Sequence, residues 1–188
     1  MTEREALTAL RGNDEALAAR AAGILWQMWH RSGDPGLDDL LRQGIEAMER
    51  QDLPAADATF TRLIGEAPAF AEAWNKRATV RYLAQDYAAS IADCRETLAR
   101  NPNHFGALSG QGLCHLMLGQ FREAAELFRR TLAVHPHLQR ARESPGNPRR
   151  DGEAELRFSP CKLAESRLTR TLFREILGRT ERLAWHPR

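Results

Sequence analysis

The chain has few β-branched residues for its length. Its 188 residues include only 2 Val and 5 Ile, against 29 Ala and 24 Leu. Strands are enriched in β-branched and aromatic residues, whereas helices favour Ala, Leu, Glu and Arg. This composition argues against a β-sandwich, a β-barrel or a doubly wound sheet. It predicts an all-α fold.

Long apolar runs, a large net charge and paired cysteines are also missing. No stretch approaches the roughly 18 apolar residues of a membrane-spanning helix. The net charge of +2 provides no overall field for nucleic acid, so none is expected as a partner. Three cysteines without paired spacing suit a reducing compartment. A cytoplasmic location is therefore predicted, with a periplasmic one as the alternative if the true start lies upstream.

The sequence instead has a period of 34 residues. Prolines recur at this interval, at Pro68, Pro102 and Pro136. Three further columns keep the same phase: Gly44, Ala78 and Gly112; Ala56, Ser90 and Ala124; and Phe60, Cys94 and Phe128. Small residues recur where two helices cross closely, and proline after a helix prevents its continuation. The period therefore predicts stacked antiparallel helix pairs, with inner turns at 51–52, 85–86 and 119–120.

One stretch carries a family resemblance. The segments Ala71-Glu-Ala-Trp74, Asp86-Tyr87 and Asn101-Pro102 are similar to the consensus of the tetratricopeptide repeat (TPR) family. The chain also looks like small stand-alone bacterial TPR proteins, several of which are exported. The resemblance implies a right-handed α-solenoid of three repeats, at 37–70, 71–104 and 105–138. Departures from the consensus are Arg77, Arg81 and Gln111 in place of Leu or Tyr, and Cys94 in place of an aromatic residue.

The flanks are expected to cover the ends of the solenoid. Residues 1–36 form N-terminal capping helices, the first opened by a capping box at Thr2 and Glu5 and the second capped by Asn13. Trp26 and Trp29 on the second helix are interpreted as packing residues, with a membrane-surface anchor as the alternative. Asp34, followed by proline, opens repeat one. The Arg-rich tail, 139–188, is predicted to contain one helix at 160–177, with a reading-frame error as the alternative.

The resemblance also implies a partner site, because the first helices of TPR repeats line a concave groove. The groove positions carried over to this sequence are Leu41, Ile45, Met48, Asn75, Thr79, Tyr82, Ser109, Leu113, Leu116 and Met117. The TPR proteins that grip chaperone tails with a carboxylate clamp need Lys, Arg and Asn in this groove. The matching positions of this sequence have Leu41, Ile45, Gly106 and Gly110 instead. An amphipathic helix or an apolar peptide is therefore the predicted partner. The competing possibility is that the protein's own tryptophan-bearing helix occupies this surface.

No catalytic, metal or cofactor site can be assembled from the sequence. The predicted function is therefore a non-catalytic protein-interaction module or scaffold, for which a small-molecule ligand is not expected. The alternative is a thiol- or metal-linked regulator. It would use Cys94 and Cys114 with the histidines in or beside repeat three, which are His104, His115, His135 and His137. Buried, chemically inert thiols and polar turn histidines are the simpler interpretation of these residues.

Overall fold

A computed structural model describes residues 1–138, and the tail with its expected helix at 160–177 lies outside the described residues. The described part consists of helices joined by short turns, and it contains no strand. The helices are α1 (Glu3–Arg11), α2 (Glu15–Trp29), α3 (Pro35–Glu49), α4 (Leu53–Glu66), α5 (Ala71–Leu83), α6 (Tyr87–Arg100), α7 (Phe105–Met117) and α8 (Phe121–Val134). The predicted all-α solenoid of helix pairs is confirmed.

Each inner turn is closed by one residue with a left-handed backbone. Gln51, Gln85 and Gly119 have φ values of 62°, 64° and 73°. In the first two turns, the next residue is an aspartate that caps the second helix. The side chains of Asp52 and Asp86 each accept a backbone N–H at 3.1 Å. The turns therefore fall where the repeat period places them.

Small residues allow the two helices of a repeat to cross closely. A Cβ atom on Gly44 would overlap the Phe60 ring, and one on Gly112 would lie 2.8 Å from the Phe128 ring. In repeat two, the glycine position of these pairs is occupied by the larger Ala78, and the phenylalanine position by the smaller Cys94. In repeats one and three, the crossing thus pairs a glycine with a phenylalanine ring that fills the remaining space.

The helix starts follow local capping rules. The capping box of α1 is present, with Thr2 accepting from the Glu5 N–H and the Glu5 carboxylate accepting from the Thr2 N–H. Asp34 caps α3, which begins with proline, as predicted. The expectation for α2 was wrong by one residue. Asp14, and not Asn13, accepts the Leu17 N–H at 2.9 Å, because α2 begins at Glu15.

The N-terminal helix pair shares its core with repeat three. The buried residues Leu10 and Leu25 belong to the same apolar cluster as Phe105, Leu108 and others of α7 and α8. The core of repeat one is a separate cluster that extends into α5. The pair α1–α2 therefore folds back along the solenoid and does not join the core of repeat one, which follows it in sequence.

Candidate functional site

The first helices of neighbouring repeats lie against one another, α3 against α5 and α5 against α7. The ten groove positions expected from the sequence lie on these three helices. Seven of them are buried: Leu41, Met48, Asn75, Thr79, Tyr82, Ser109 and Leu113. Ile45, Leu116 and Met117 are partly exposed. Most of this surface is therefore covered within the chain itself.

Helix α2 lies across the first turns of α5 and α7. Near its start, the Glu15 carboxylate is 3.9 Å from His137 Nδ1, shortly after the end of α8 in repeat three. Just past its end, His30 Nε2 is 3.4 Å from Glu72 Oε1 at the start of α5. Helix α2 thus crosses the repeats in reverse order, from repeat three towards repeat two. We call the first turns of α5 and α7, together with α2, the docking seam.

The two tryptophans of α2 make the contacts at the docking seam. Trp26 packs against Gly106, where an added Cβ would lie 2.6 Å from its ring, and Lys76 Nζ lies 5.8 Å from the ring centroid. Trp29 stacks on the His104 ring with centroids 4.5 Å apart, and its Nε1 donates to Glu3 at 2.9 Å. These contacts favour the interpretation of the tryptophans as packing residues.

The docking seam contains a fully buried carboxylate. Glu72 Oε2 accepts hydrogen bonds from His104 Nε2 at 2.9 Å and from Asn75 Nδ2 at 3.2 Å. Glu72 Oε1 lies 3.4 Å from both Lys76 Nζ and His30 Nε2 but accepts no hydrogen bond. One oxygen of the carboxylate is therefore satisfied, while the other has only ion-pair contacts.

The charged neighbours keep Glu72 ionised despite its burial. Burial alone would raise its pKa, but Lys76, the hydrogen bond from His104 and His30 together lower the pKa to about 2. His104 Nδ1 accepts the Ala107 N–H at 3.1 Å, so Nε2 carries the ring proton and donates to Glu72. The docking seam thus presents a buried negative charge to α2.

Two comparisons with known families and proteins identify the chain. The family model described as "Tetratricopeptide repeat" matches residues 41–105 and 84–148, more than half of the chain. The chain belongs to the TPR family. A TPR repeat-containing protein of Rhizobium etli is 30% identical over 133 residues, which are 71% of this chain and 65% of the relative. The chain spans only that 65% of the length of the curated relative it matches.

Solved TPR structures share the fold at low sequence identity. MamA matches with a TM-score of 0.57 and 20% identity, covering 93% of this chain and 90% of its own. The first TPR of Spaghetti (RPAP3), bound to the HSP90 peptide SRMEEVD, matches with 0.54 and 20%, covering 57% and 88%. The complex of the yeast Sti1 TPR2B domain with pHsp70 matches with 0.51 and 21%, covering 61% and 87%. These similarities show the fold alone.

The departures of α5 from the TPR consensus form a second charged cluster. Arg77 donates from Nε and Nη2 to the two oxygens of Asp93, both at 2.9 Å. Arg81 Nη1 lies 2.9 Å from Asp93, and Arg81 Nε lies 3.3 Å from Asp57. The arginines therefore replace apolar contacts by ion pairs that join α5 to α4 and α6. These ion pairs lie outside the docking seam, and they stabilise the packing of α5 against α4 and α6.

The two thiols within residues 1–138, Cys94 and Cys114, are buried and protonated at neutral pH. Burial raises the pKa of Cys114 to about 11 and that of Cys94 well above its ordinary value. Cys114 Sγ donates to Ser90 Oγ at 3.2 Å. Since the thiolate is the reactive form, this environment gives no support to a thiol-linked regulator.

The four histidines in or beside repeat three have separate contacts, and the His135 ring packs edge-on against Phe105. His115 Nδ1 lies 2.6 Å from the Gln120 side chain, His104 contacts Glu72, and His137 contacts the Gly12 carbonyl. Over residues 1–138, no group of three or more His, Cys, Asp or Glu side chains is arranged to hold a metal ion. Within the same range, no helix is long and apolar enough to cross a membrane.

The Glu72 carboxylate of the docking seam was not predicted from the sequence. Glu72 and Gly106 occupy equivalent positions of repeats two and three, 34 residues apart. The glycine belongs to none of the small-residue columns, and this was a signal that something large lies against it. The sequence indicated that the tryptophan-bearing helix could occupy this surface, but it could not pair Trp26 with Gly106, because α2 lies outside the period.

Stability is expected to fall in acid, starting with His135. Burial, with a smaller contribution from His137, lowers the pKa of His135 from 6.5 to about 4. The unfolded chain therefore binds this proton first, and the folded state loses stability as the pH falls from 6.5 towards 4. The lowered pKa of Glu72 acts similarly between its ordinary value of 4.5 and about 2.

Melting temperatures between pH 7.5 and 3.5 test this expectation. His135→Gln should flatten the decline between pH 6.5 and 4 and leave the decline below pH 4 unchanged. Equal slopes for His135→Gln and the unsubstituted chain over the upper range would contradict the assignment. Glu126→Gln, at an exposed carboxylate on α8, the helix that ends directly before His135, serves as the control.

Proposed function

We propose that this TPR protein is a non-catalytic interaction module that holds an amphipathic helix on the face formed by α3, α5 and α7. The observation that carries the proposal is the docking seam itself, where α2 already lies across α5 and α7. Trp26 packs on Gly106, and His30 lies at ion-pair distance from Glu72. A surface that accommodates one helix in this way has the shape and the chemistry to bind another.

The groove assignment made from the sequence is part of this proposal. Its partly exposed members, Ile45, Leu116 and Met117, provide apolar contact area beyond the docking seam. Methionine adapts to varied apolar partners because its side chain is flexible and polarizable. The seven buried members would support these contacts from below.

Two of the solved TPR neighbours are complexes with a chaperone-derived partner, an HSP90 peptide and pHsp70. Their existence supports the use of a TPR face for binding. The present chain has Leu41, Ile45, Gly106 and Gly110 at the positions that resemble a carboxylate clamp. We therefore propose an apolar helical partner in place of an acidic chaperone tail.

The compartment proposed for the protein is the cytoplasm. Cys94 and Cys114 are both free in the structure and have no disulfide partner within residues 1–138. Free thiols of this kind persist under reducing conditions. A periplasmic location is the alternative, and fractionation of cells that express the tagged protein distinguishes the two.

Binding of labelled peptides to the full chain tests the function. Fluorescence anisotropy should detect binding of amphipathic helical peptides and none of an acidic peptide such as SRMEEVD. Ile45→Glu and Leu116→Glu should each weaken binding at least about tenfold, because a charge in an apolar contact must be desolvated. Ala92→Glu, on the exposed side of α6, adds the same charge and should leave binding unchanged.

Unaltered binding in both Ile45→Glu and Leu116→Glu would place the partner site elsewhere. Preferential binding of the acidic peptide would instead assign the protein to the chaperone-tail binders. Thermal melting of each variant verifies that a loss of binding does not come from unfolding.

A further inference from the structure

We propose that α2 is a built-in competitor at the partner site and that its side chains indicate the partner's sequence. The partner would be an amphipathic helix with two aromatic residues three positions apart, followed directly by arginine or lysine. The inference rests on the proposed function, because it names the partner class for the same surface. The contacts that Trp26, Trp29 and His30 make in the docking seam support this partner class.

The contact residues Trp26 and Trp29 of α2, together with His30 directly after its end, lie on one side of the helix and its final turn. Trp26, Trp29 and His30 occupy positions i, i+3 and i+4, which are neighbours on a helix surface. On the opposite side Met28 is exposed, with 37% of its surface accessible. The contacts are therefore a short linear pattern, which a helix from another protein can reproduce.

Each element of this pattern meets a matching feature of the repeats. The absence of a side chain at Gly106 leaves room for the Trp26 ring, and the His104 ring provides a stacking surface for Trp29. Glu72 provides a buried negative charge opposite His30. The shape of the docking seam thus selects the two aromatic residues, and the charge of Glu72 selects a cationic residue at the position of His30.

His30, at the third position of the pattern, leaves the Oε1 atom of Glu72 without a hydrogen bond. The Glu72 side chain is fully buried, yet its Oε1 accepts no hydrogen bond and has only ion-pair contacts, with Lys76 Nζ and His30 Nε2 each at 3.4 Å. Arginine or lysine at the equivalent position of a partner has a permanent charge and a longer reach. It would donate a charge-assisted hydrogen bond to this oxygen, which is stronger than the contact with His30. At this position such a partner makes a stronger contact with Glu72 than His30 does.

The N-terminal pair has to leave the docking seam for a partner to bind there, while the hairpins α3–α4, α5–α6 and α7–α8 keep their own helix-to-helix contacts. It is joined to α3 by a short connection that includes Ser32 and Gly33, and Gly33 has a φ of 90°. While α2 is docked, the apparent affinity for a partner is lowered by the fraction of molecules whose site is covered. Variants that loosen α2 must therefore bind the partner more tightly. A partner that binds an unoccupied surface would not show this increase in affinity.

The experiment uses labelled synthetic peptides with the sequence of residues 19–31 and the full chain. The first peptide has the natural sequence, the second carries His30→Arg, and the third carries Trp26→Ala and Trp29→Ala. We expect the second to bind more tightly than the first, and the third to bind at least about tenfold more weakly. Full chains carrying Trp26→Ala and His30→Ala should bind the second peptide at least about tenfold more tightly than the unsubstituted chain. Met28→Ala, on the exposed face of α2, is the matched control and should change nothing.

A second measurement keeps the test valid if the loosened variant does not fold. Hydrogen exchange on the unsubstituted chain should show faster exchange in α2, and unchanged exchange in α4, when the His30→Arg peptide is bound. Equal affinity for all three peptides, or no change in the exchange of α2 on binding, would overturn the inference. If apolar helical peptides without this pattern bind in an Ile45-dependent manner, the proposed function stands and this inference fails. If no helical peptide binds at all, both fail.

Discussion

Replacing Glu72 by glutamine is expected to destabilise the protein by about 3–5 kcal/mol, the usual cost of removing one partner from a buried ion pair. The carboxylate is fully buried, and Lys76, whose side chain is only 6% exposed, would lose its counter-charge. The hydrogen bond from His104 would also lose its charged acceptor. Denaturant unfolding followed by circular dichroism measures the effect as a lower transition midpoint.

A matched set of variants separates charge from packing in this prediction. Glu66→Gln removes an exposed carboxylate that pairs with Arg62, and it should change the stability by less than about 1 kcal/mol. The double variant Glu72→Gln with Lys76→Met removes both buried charges and should recover part of the loss. If Glu72→Gln unfolds at the same denaturant concentration as the unsubstituted chain, the buried ion cluster does not hold the docking seam together.

Replacing Gly112 by leucine is expected to destabilise the protein by at least the ~1–3 kcal/mol that overpacking costs. The added Cβ would lie 2.8 Å from the Phe128 ring, and the remaining leucine atoms have to displace that ring or separate α7 from α8. Phe128 is itself 5% exposed, so it has little room to move. Thermal or denaturant unfolding measures the loss.

Two further variants show whether the helix crossing is responsible. Gly65→Leu lies on α4, where an added Cβ meets nothing within 4 Å, and it should have little effect on stability. The double variant Gly112→Leu with Phe128→Ala exchanges the large and small partners and should be more stable than Gly112→Leu alone. A melting temperature of Gly112→Leu equal to that of the unsubstituted chain would show that this crossing tolerates a separation of the helices.

The repeat architecture could be predicted because its signals are local and periodic. The inner turns at Gln51 and Gln85 lie directly before aspartate caps, and Gly44 faces Phe60 within a single hairpin. Such contacts join residues close in sequence, so the 34-residue period repeats them with each unit. The start of α2 was misplaced by one residue, because Asn13 and Asp14 are both good caps and the sequence does not distinguish them.

The sequence by itself thus determined the helix pairs, their turns and their order, since each repeat is specified by contacts within itself and with its neighbours. Only the tertiary structure decided where α2 lies and which residues meet in the docking seam. Glu72 is 32 residues from His104 and lies opposite His30 of a helix outside the period. No local preference encodes that meeting. It follows from the burial of an apolar helix against repeat three, which brings the Glu72 carboxylate and its cationic neighbours together in space.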